Sequence, residues 1–227
     1  MNICFLITSV IQTLSTPLVY GPRSYYTPYS RYKQTLQTIY TIRNHVPDAY
    51  IYLVEGSRLD KNMEEMLESS VDRYVNLSEL DYIENSVQSV LKGYGEATQT
   101  HYMMNYIIGN ECSYVLKISG RYYLNDDFSL ERLLRPKQIA FCKGKSADPP
   151  IVSTVLYAIP SSVRMSLIKA LENMIEVYKA YKGKKNIRRE TLPHFERLLP
   201  HFLESYTILP SVGVEGLVSS YQTLYKC

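Results

Sequence analysis

The 227-residue sequence contains no tryptophan, four cysteines and no apolar run near the roughly 20 residues needed to cross a bilayer. It also lacks a strong charge bias, since 25 basic and 22 acidic side chains leave +3 with histidine neutral. A nucleic-acid partner usually shows as a strongly basic face, so none is expected. Cys4, Cys112, Cys142 and Cys227 lie far apart and form no C-x-x-C pair. Neither a zinc site nor a disulfide framework is therefore expected, and the chain is placed in a reducing cytosol. The first 11 residues have no Lys or Arg before their apolar run and no small-residue cleavage pattern after it. They read as a buried first strand rather than a secretory leader. Internal repeats, low-complexity tracts, a P-loop and the six-position dinucleotide fingerprint are absent as well.

What is present is ordinary globular usage, with 45% hydrophobic and 21% charged residues, and an unusual aromatic balance of 22 Tyr against 5 Phe. A tyrosine carries an apolar face and a hydroxyl together, which suits surfaces that are apolar yet hydrogen-bonding. The length accommodates one α/β domain with a full core. Strands are expected at 2–9, 49–54, 73–77, 113–119, 139–142 and 151–158. Helical spacing runs through Leu36, Ile39, Tyr40 and Val46, through Lys61 to Val71, and through Leu167 to Tyr178 after a Ser161-Ser162 cap. Asn85 or Ser86 would cap another helix, which Gly93 and Gly95 interrupt before a fresh one starts near Glu96. Strands alternating with helices imply a mostly parallel sheet covered on both faces.

Ligands of open α/β sheets bind beyond the carboxyl ends of the strands. That rule selects Thr8-Ser9, Glu55-Gly-Ser-Arg58 and Ser119-Gly-Arg-Tyr122. Thr8, Ser9 and Glu55 suit a nucleoside. Lys92-Gly-Tyr-Gly-Glu-Ala97, with Gly95 and Glu96 at a helix start, suits an anion, or else is a ligand-free turn. Lys117 and Arg121 bracket the end of the strongest strand, where two basic residues need an anionic partner or structural ion pairs. Arg121 can grip a phosphate with two prongs, and Gly120 permits close approach. Asp126 and Asp127 are candidates for a divalent metal and equally for a helix N-cap.

The order of a Thr-Ser strand end, a Glu after the second strand, Lys-Gly-x-Gly-Glu-Ala and Lys-Ile-Ser-Gly-Arg-Tyr resembles a group of glycosyltransferases with the GT-A nucleotide-diphospho-sugar fold. Members occur in bacterial polysaccharide clusters and in large DNA viruses, including algal viruses that glycosylate their capsid protein. The resemblance covers residues 1–160 well and the rest loosely. It implies a single GT-A-like domain over residues 1–227, with a nucleotide-sugar half to residue 125 and an acceptor-side half from 126. It also implies a nucleotide-diphospho-sugar donor, held by Thr8, Ser9, Glu55, Lys92, Gly95, Glu96, Lys117, Ser119, Gly120, Arg121 and Tyr122. The partner would be a glycan or glycoprotein acceptor, with peripheral membrane contact open. GT-A enzymes usually carry Asp-x-Asp where Ser119-Gly-Arg121 stands here, which puts a manganese or magnesium ion in doubt. Arg121 with Lys92 or Lys117 would then supply the compensating charge.

Inverting transfer needs a base, for which Glu215 and Asp148 are the candidates. Tyr25, Tyr26, Tyr29 and Tyr32, with Arg23 and Arg31, form a sugar platform or a packed loop; Tyr122 and Tyr123 are expected beside the same site. The basic run 182–189 is a solvated linker or a flap over phosphates. His45, His101, His194 and His201 show no ligand spacing. A sugar nucleotidyltransferase is the rival enzyme class, although residues 8–20 lack its glycine-rich signature, and a non-catalytic sugar- or nucleotide-binding module is the rival outside catalysis.

Overall fold

A computed structural model describes residues 2–15, 17–18, 22–144, 151–182, 192–217 and 224–227. Asp148, Tyr20 and nearly all of the basic run 182–189 lie outside the described residues. The first half alternates β1 (Ile3–Ser9), α1 (Pro28–His45), β2 (Tyr50–Glu55), α2 (Lys61–Ser70), β3 (Arg73–Asn76), α3 (Asp81–Val87) and α4 (Lys92–Tyr102). A π-helical turn over Met103–Ile107 leads to β4 (Tyr114–Ser119) and β5 (Tyr122–Leu124). Then follow α5 (Leu130–Leu134), β6 (Ile139–Lys143), β7 (Val152–Pro160), α6 (Arg164–Lys182), α7 (Phe195–Phe202), β8 (Tyr206–Leu209), β9 (Val214–Leu217) and β10 (Leu224–Lys226).

Among the described residues seven strands form one sheet in the order β3-β2-β1-β4-β7-β6-β8. β1 pairs in parallel with both β2 and β4, so Thr8 lies beside Val54 on one side and Ser119 on the other. The sheet is mostly parallel, but β7 runs antiparallel to β4 and to β6. Burial on both faces explains the apolar run of β1 and that of β4, which Lys117 alone interrupts. Cys4 and Leu6 pack into the layer of α4 and α6, and Phe5 and Ile7 into the layer of α1. A second sheet of β10, β9 and β5 closes one end.

α1 starts eight residues before the apolar spacing does. Thr27 accepts from the Ser30 amide and Pro28 takes the first turn, a favourable helix start. The early part of its buried stripe is polar: Thr35 Oγ1 donates to the Gly120 carbonyl (2.9 Å) and Thr38 Oγ1 to the Tyr122 carbonyl (2.7 Å). Those two bonds lock α1 to the turn after β4.

Four expectations are corrected. α3 begins at Asp81 rather than at an Asn85 or Ser86 cap. Gly93 and Gly95 do not interrupt a helix but lie inside α4, where they let helices approach closely. A Cβ on Gly93 would meet Tyr178 Oη at 2.3 Å, and one on Gly95 the Val87 Cα at 2.8 Å. Asp126 and Asp127 do not cap α5; Ser129 does, accepting from the Arg132 amide. The cysteines are paired, Cys4 with Cys112 and Cys142 with Cys227, across Cα separations of 5.7 and 6.4 Å. Each bridge joins segments 108 and 85 residues apart in sequence, and such links typically stabilise by about 2–4 kcal/mol. The reducing-cytosol expectation rested on unpaired cysteines and loses that footing. Among the described residues no helix is long and apolar enough to cross a membrane.

Candidate functional site

An open pocket lies at the carboxyl ends of β1 and β4, where open α/β sheets take their ligands. Thr8 and Ser9 line it from β1, and Ser119, Gly120 and Arg121 from the turn after β4. α4 contributes Lys92, Gly95, Glu96 and Gln99. Their i, i+3, i+4 and i+7 spacing puts them on one stripe of that helix. Arg31 and Thr35 face the pocket from α1, and Arg23 from the loop before it.

Gly120 fits this corner because it is small. Its amide donates to the Thr8 carbonyl (2.9 Å), and a Cβ there would sit 3.1 Å from Thr35 Oγ1 and 3.3 Å from Ile7 Cγ2. β1, β4 and α1 thus meet tightly at the pocket floor.

Four cations line the pocket, Arg23, Arg31, Lys92 and Arg121. Arg31 is buried, its Nε donating to the Val10 carbonyl (2.7 Å). Burial first, then the Arg121 charge, push its pKa down to about 9, against the pull of Glu55. Lys92 is pushed down to about 7 by burial, then by Arg121 and Arg31, with Glu196 and Glu96 opposing. Arg121 rests over the Tyr122 ring, and its Nη1 is buried without any hydrogen-bond partner. Cations that repel one another around an unsatisfied guanidinium N–H form a site that an anion would relieve. Arg23 is different: its guanidinium donates to the Val87, Gln88 and Ser89 carbonyls (2.8–3.0 Å) and closes the end of α3.

Lys117 is not a pocket residue. It is fully buried, pairs with Glu96, and donates to Ser119 Oγ and the Thr154 carbonyl, both at 3.0 Å. Burial pushes its pKa down while Glu96 pulls it back up. It is a structural ion-pair partner that fixes Glu96 and Ser119 at the pocket edge. Glu55 is likewise absent from the lining. Its Oε1 accepts from the Ile11 amide (3.0 Å) and from the amide of Ser57 (2.9 Å), which holds the loop after β1. Burial raises its pKa, and the bonds from Ser57, Ile11 and Ser9 oppose that rise. Tyr122 is buried edge-to-face against Tyr225 rather than turned to a ligand.

Glu215 is not brought to the pocket. Its carboxylate accepts from Tyr123 Oη (2.6 Å), Asn125 Nδ2 (3.1 Å) and Lys226 Nζ (3.2 Å), which hold it below the usual carboxylate range. A carboxylate so satisfied ties the small sheet together and makes a poor base. The exposed Tyr25 and Tyr29 also stay outside the lining, to which the loop before α1 contributes Arg23 and α1 contributes Arg31. Gln99, Val87 and Thr35 also line the pocket, and no motif in the sequence marks them. The available signal for Gln99 is the stripe at 92, 95, 96 and 99, which shows only when Gly93 and Gly95 are taken as helical.

A divalent metal does not fit the end of β4. Ser119, Gly120 and Arg121 occupy it, and an ion there would face Arg31, Lys92 and Arg121. Among the described residues no group of three or more His, Cys, Asp or Glu side chains gathers to hold an ion, and Asp126 and Asp127 sit exposed outside the pocket.

No protein-family model matches the chain, and no curated protein matches it in sequence. Solved structures do match in shape. The glycosyltransferase GlyE of Streptococcus pneumoniae TIGR4 superposes with a TM-score of 0.57 at 10% identity, over 92% of this chain and 45% of that one. The galactosyltransferase LgtC, solved with donor and acceptor sugar analogs, gives 0.56 at 10% identity, over 90% of this chain and 72% of that one. The chain thus spans less than half the length of GlyE. What these share is architecture, and the chain has the GT-A fold.

Proposed function

We propose that the chain is a glycosyltransferase that binds a nucleotide-diphospho-sugar in the basic pocket and moves the sugar to a hydroxyl of a glycan or glycoprotein. The observation that carries this reading is the buried, unpartnered Nη1 of Arg121 beside Arg31 and Lys92 at the strand ends where open α/β sheets take ligands. The GT-A fold, and the resemblance of Lys-Ile-Ser-Gly-Arg-Tyr to one group of such enzymes, support it.

In the reaction the bond between the anomeric carbon and the diphosphate oxygen breaks, its electron pair leaving with the diphosphate, the acceptor oxygen bonds that carbon, and the acceptor proton passes to solvent water. Negative charge grows on the departing diphosphate, and fixed cations stabilise it more in the transition state than before it. Arg121, Arg31 and Lys92 take that task at a strand end whose residues do not suit a metal. Glu96 lines the pocket and is held in place by Lys117, so it is the carboxylate best set to accept a hydroxyl of the sugar. The test is turnover of a panel of nucleotide-sugars, read as nucleoside diphosphate released, first with water and then with glycan acceptors. One donor class is expected to be consumed. Binding without transfer across the acceptors would instead favour a non-catalytic module, and neither binding nor turnover would sink the reading.

Lys92 gives a pH signature. The ammonium is charged below about pH 7 and neutral above it. An anion favours the charged form, so binding takes up a proton and weakens as pH rises beyond that point. A nucleotide-sugar diphosphate does not itself titrate there. Titrations from pH 6 to 8.5 are expected to show falling donor affinity in the wild type and a flatter profile in Lys92→Met. Identical profiles would remove Lys92 from the site.

A further inference from the structure

The pocket has two chemically different ends. Arg121 follows β4, whereas Gly56 follows β2, and β1 lies between those strands. Two strand spacings, roughly 10 Å, separate them. Gly56 is not itself in the lining, but Gln99 and Val87 are, and they pack against it: a Cβ on Gly56 would come within 2.7 Å of Gln99 Nε2 and 3.0 Å of Val87 Cγ1. Arg23, the cation nearest Val87, is committed to three carbonyls of the α3 end. Gln99 is only 1% exposed, yet its Oε1 has no hydrogen-bond partner. A buried amide left so is costly unless a ligand completes it.

We propose that Gln99 is the residue that reads the nucleobase and sets which nucleotide the pocket accepts. A carboxamide presents a donor and an acceptor side by side, which matches a base edge carrying both. Val87 supplies an apolar wall beside it, and the cations at the far end take the diphosphate. This orientation rests on the reading of the basic end as a diphosphate site, and it adds what that reading leaves open, namely the source of base preference.

The experiment is calorimetric titration of wild type, Gln99→Met and Gln99→Glu with UDP, GDP, CDP, ADP and inorganic pyrophosphate, at one pH and low salt. The wild type is expected to prefer one base and to bind pyrophosphate more weakly. Gln99→Met should lose about 10- to 100-fold for the preferred nucleotide while pyrophosphate binding stays within error, which also shows that the variant is folded. Gln99→Glu, which keeps the acceptor and loses the donor, should reorder the bases. Wild-type ranking in both variants would overturn the assignment, as would an equal loss for pyrophosphate in a variant of unchanged thermal midpoint. Failure of the wild type to bind pyrophosphate or any nucleotide would instead sink the diphosphate reading itself.

Discussion

Replacing Arg121 with alanine is expected to weaken nucleoside diphosphate binding by about 100-fold or more, because truncating one member of a desolvated charge pair carries that order of penalty. Donor turnover should fall at least as far, since the same guanidinium meets the charge that grows on the leaving group. Arg121→Lys should recover only part of the loss, because a point charge replaces a planar two-pronged donor. The unliganded protein should respond in the opposite sense. Arg121 repels Arg31 and Lys92 and leaves Nη1 unpartnered, so its removal takes away strain rather than support. The thermal midpoint of the unliganded alanine variant is expected to stay level or rise, a trade of stability for function. Calorimetry and a melt on one preparation check both halves. Unchanged affinity would remove Arg121 from the phosphate role, and a large fall in midpoint would make it a structural residue.

The second large effect concerns Glu96. Glu96→Ala is expected to lower stability by about 3–5 kcal/mol, because it leaves the fully buried Lys117 ammonium without its counter-charge. At roughly 2–4 °C per kcal/mol for a chain of this size, the midpoint should fall by several degrees to well over ten. The loss should shrink as pH rises. Burial lowers the folded pKa of Lys117 below its unfolded value, so the unfolded chain binds more protons and alkali favours the folded one. Replacing both partners, Glu96→Gln with Lys117→Met, should restore most of the midpoint, as apolar substitutes for buried pairs often do. A midpoint that does not move in Glu96→Ala would mean that Lys117 is held by Ser119 and Thr154 alone.

These two residues show how much of the site can be read from sequence. β1 announces itself as an unbroken apolar run and β4 as one broken only by Lys117, because strands buried on both faces need no polar alternation. Their carboxyl ends then point to Thr8, Ser9 and Ser119 to Arg121, which do share one pocket. What the strand pattern hides is direction of side chain. Lys117 lies two residues before Ser119, and Glu55 lies at the carboxyl end of β2 beside β1, yet they hold Glu96 and the loop after β1. Glycine is equally ambiguous: nothing in Lys92-Gly-Tyr-Gly-Glu-Ala97 says that Tyr178 and Val87 approach Gly93 and Gly95, which turns an apparent helix break into a helix contact. Gln99 belongs to the same stripe of α4, which an apparent break conceals.

The cysteine pairing is hidden in the sequence for a related reason. Cys4 and Cys112 are distant in the chain, but the pairing of Ile3 with Tyr114 brings the start of β1 beside the approach to β4. Cys227 meets Cys142 close to where its backbone bonds to Val214 and Gly213. Spacing alone carries no such register. The tyrosine surplus divides in the same way. Tyr157 and Tyr178 are fully buried in the core and Tyr94 stacks on Tyr178, whereas Tyr40 and Tyr106 are exposed. None of these five lines the pocket.

The most direct measurement is a crystal structure of the protein with a bound nucleoside diphosphate. The diphosphate is expected at the end of β4, within hydrogen-bond distance of Arg121 and of Arg31 or Lys92, with the base toward Gln99. A diphosphate bound elsewhere on the chain, with Arg121 Nη1 still unpartnered, would contradict the assignment of this pocket.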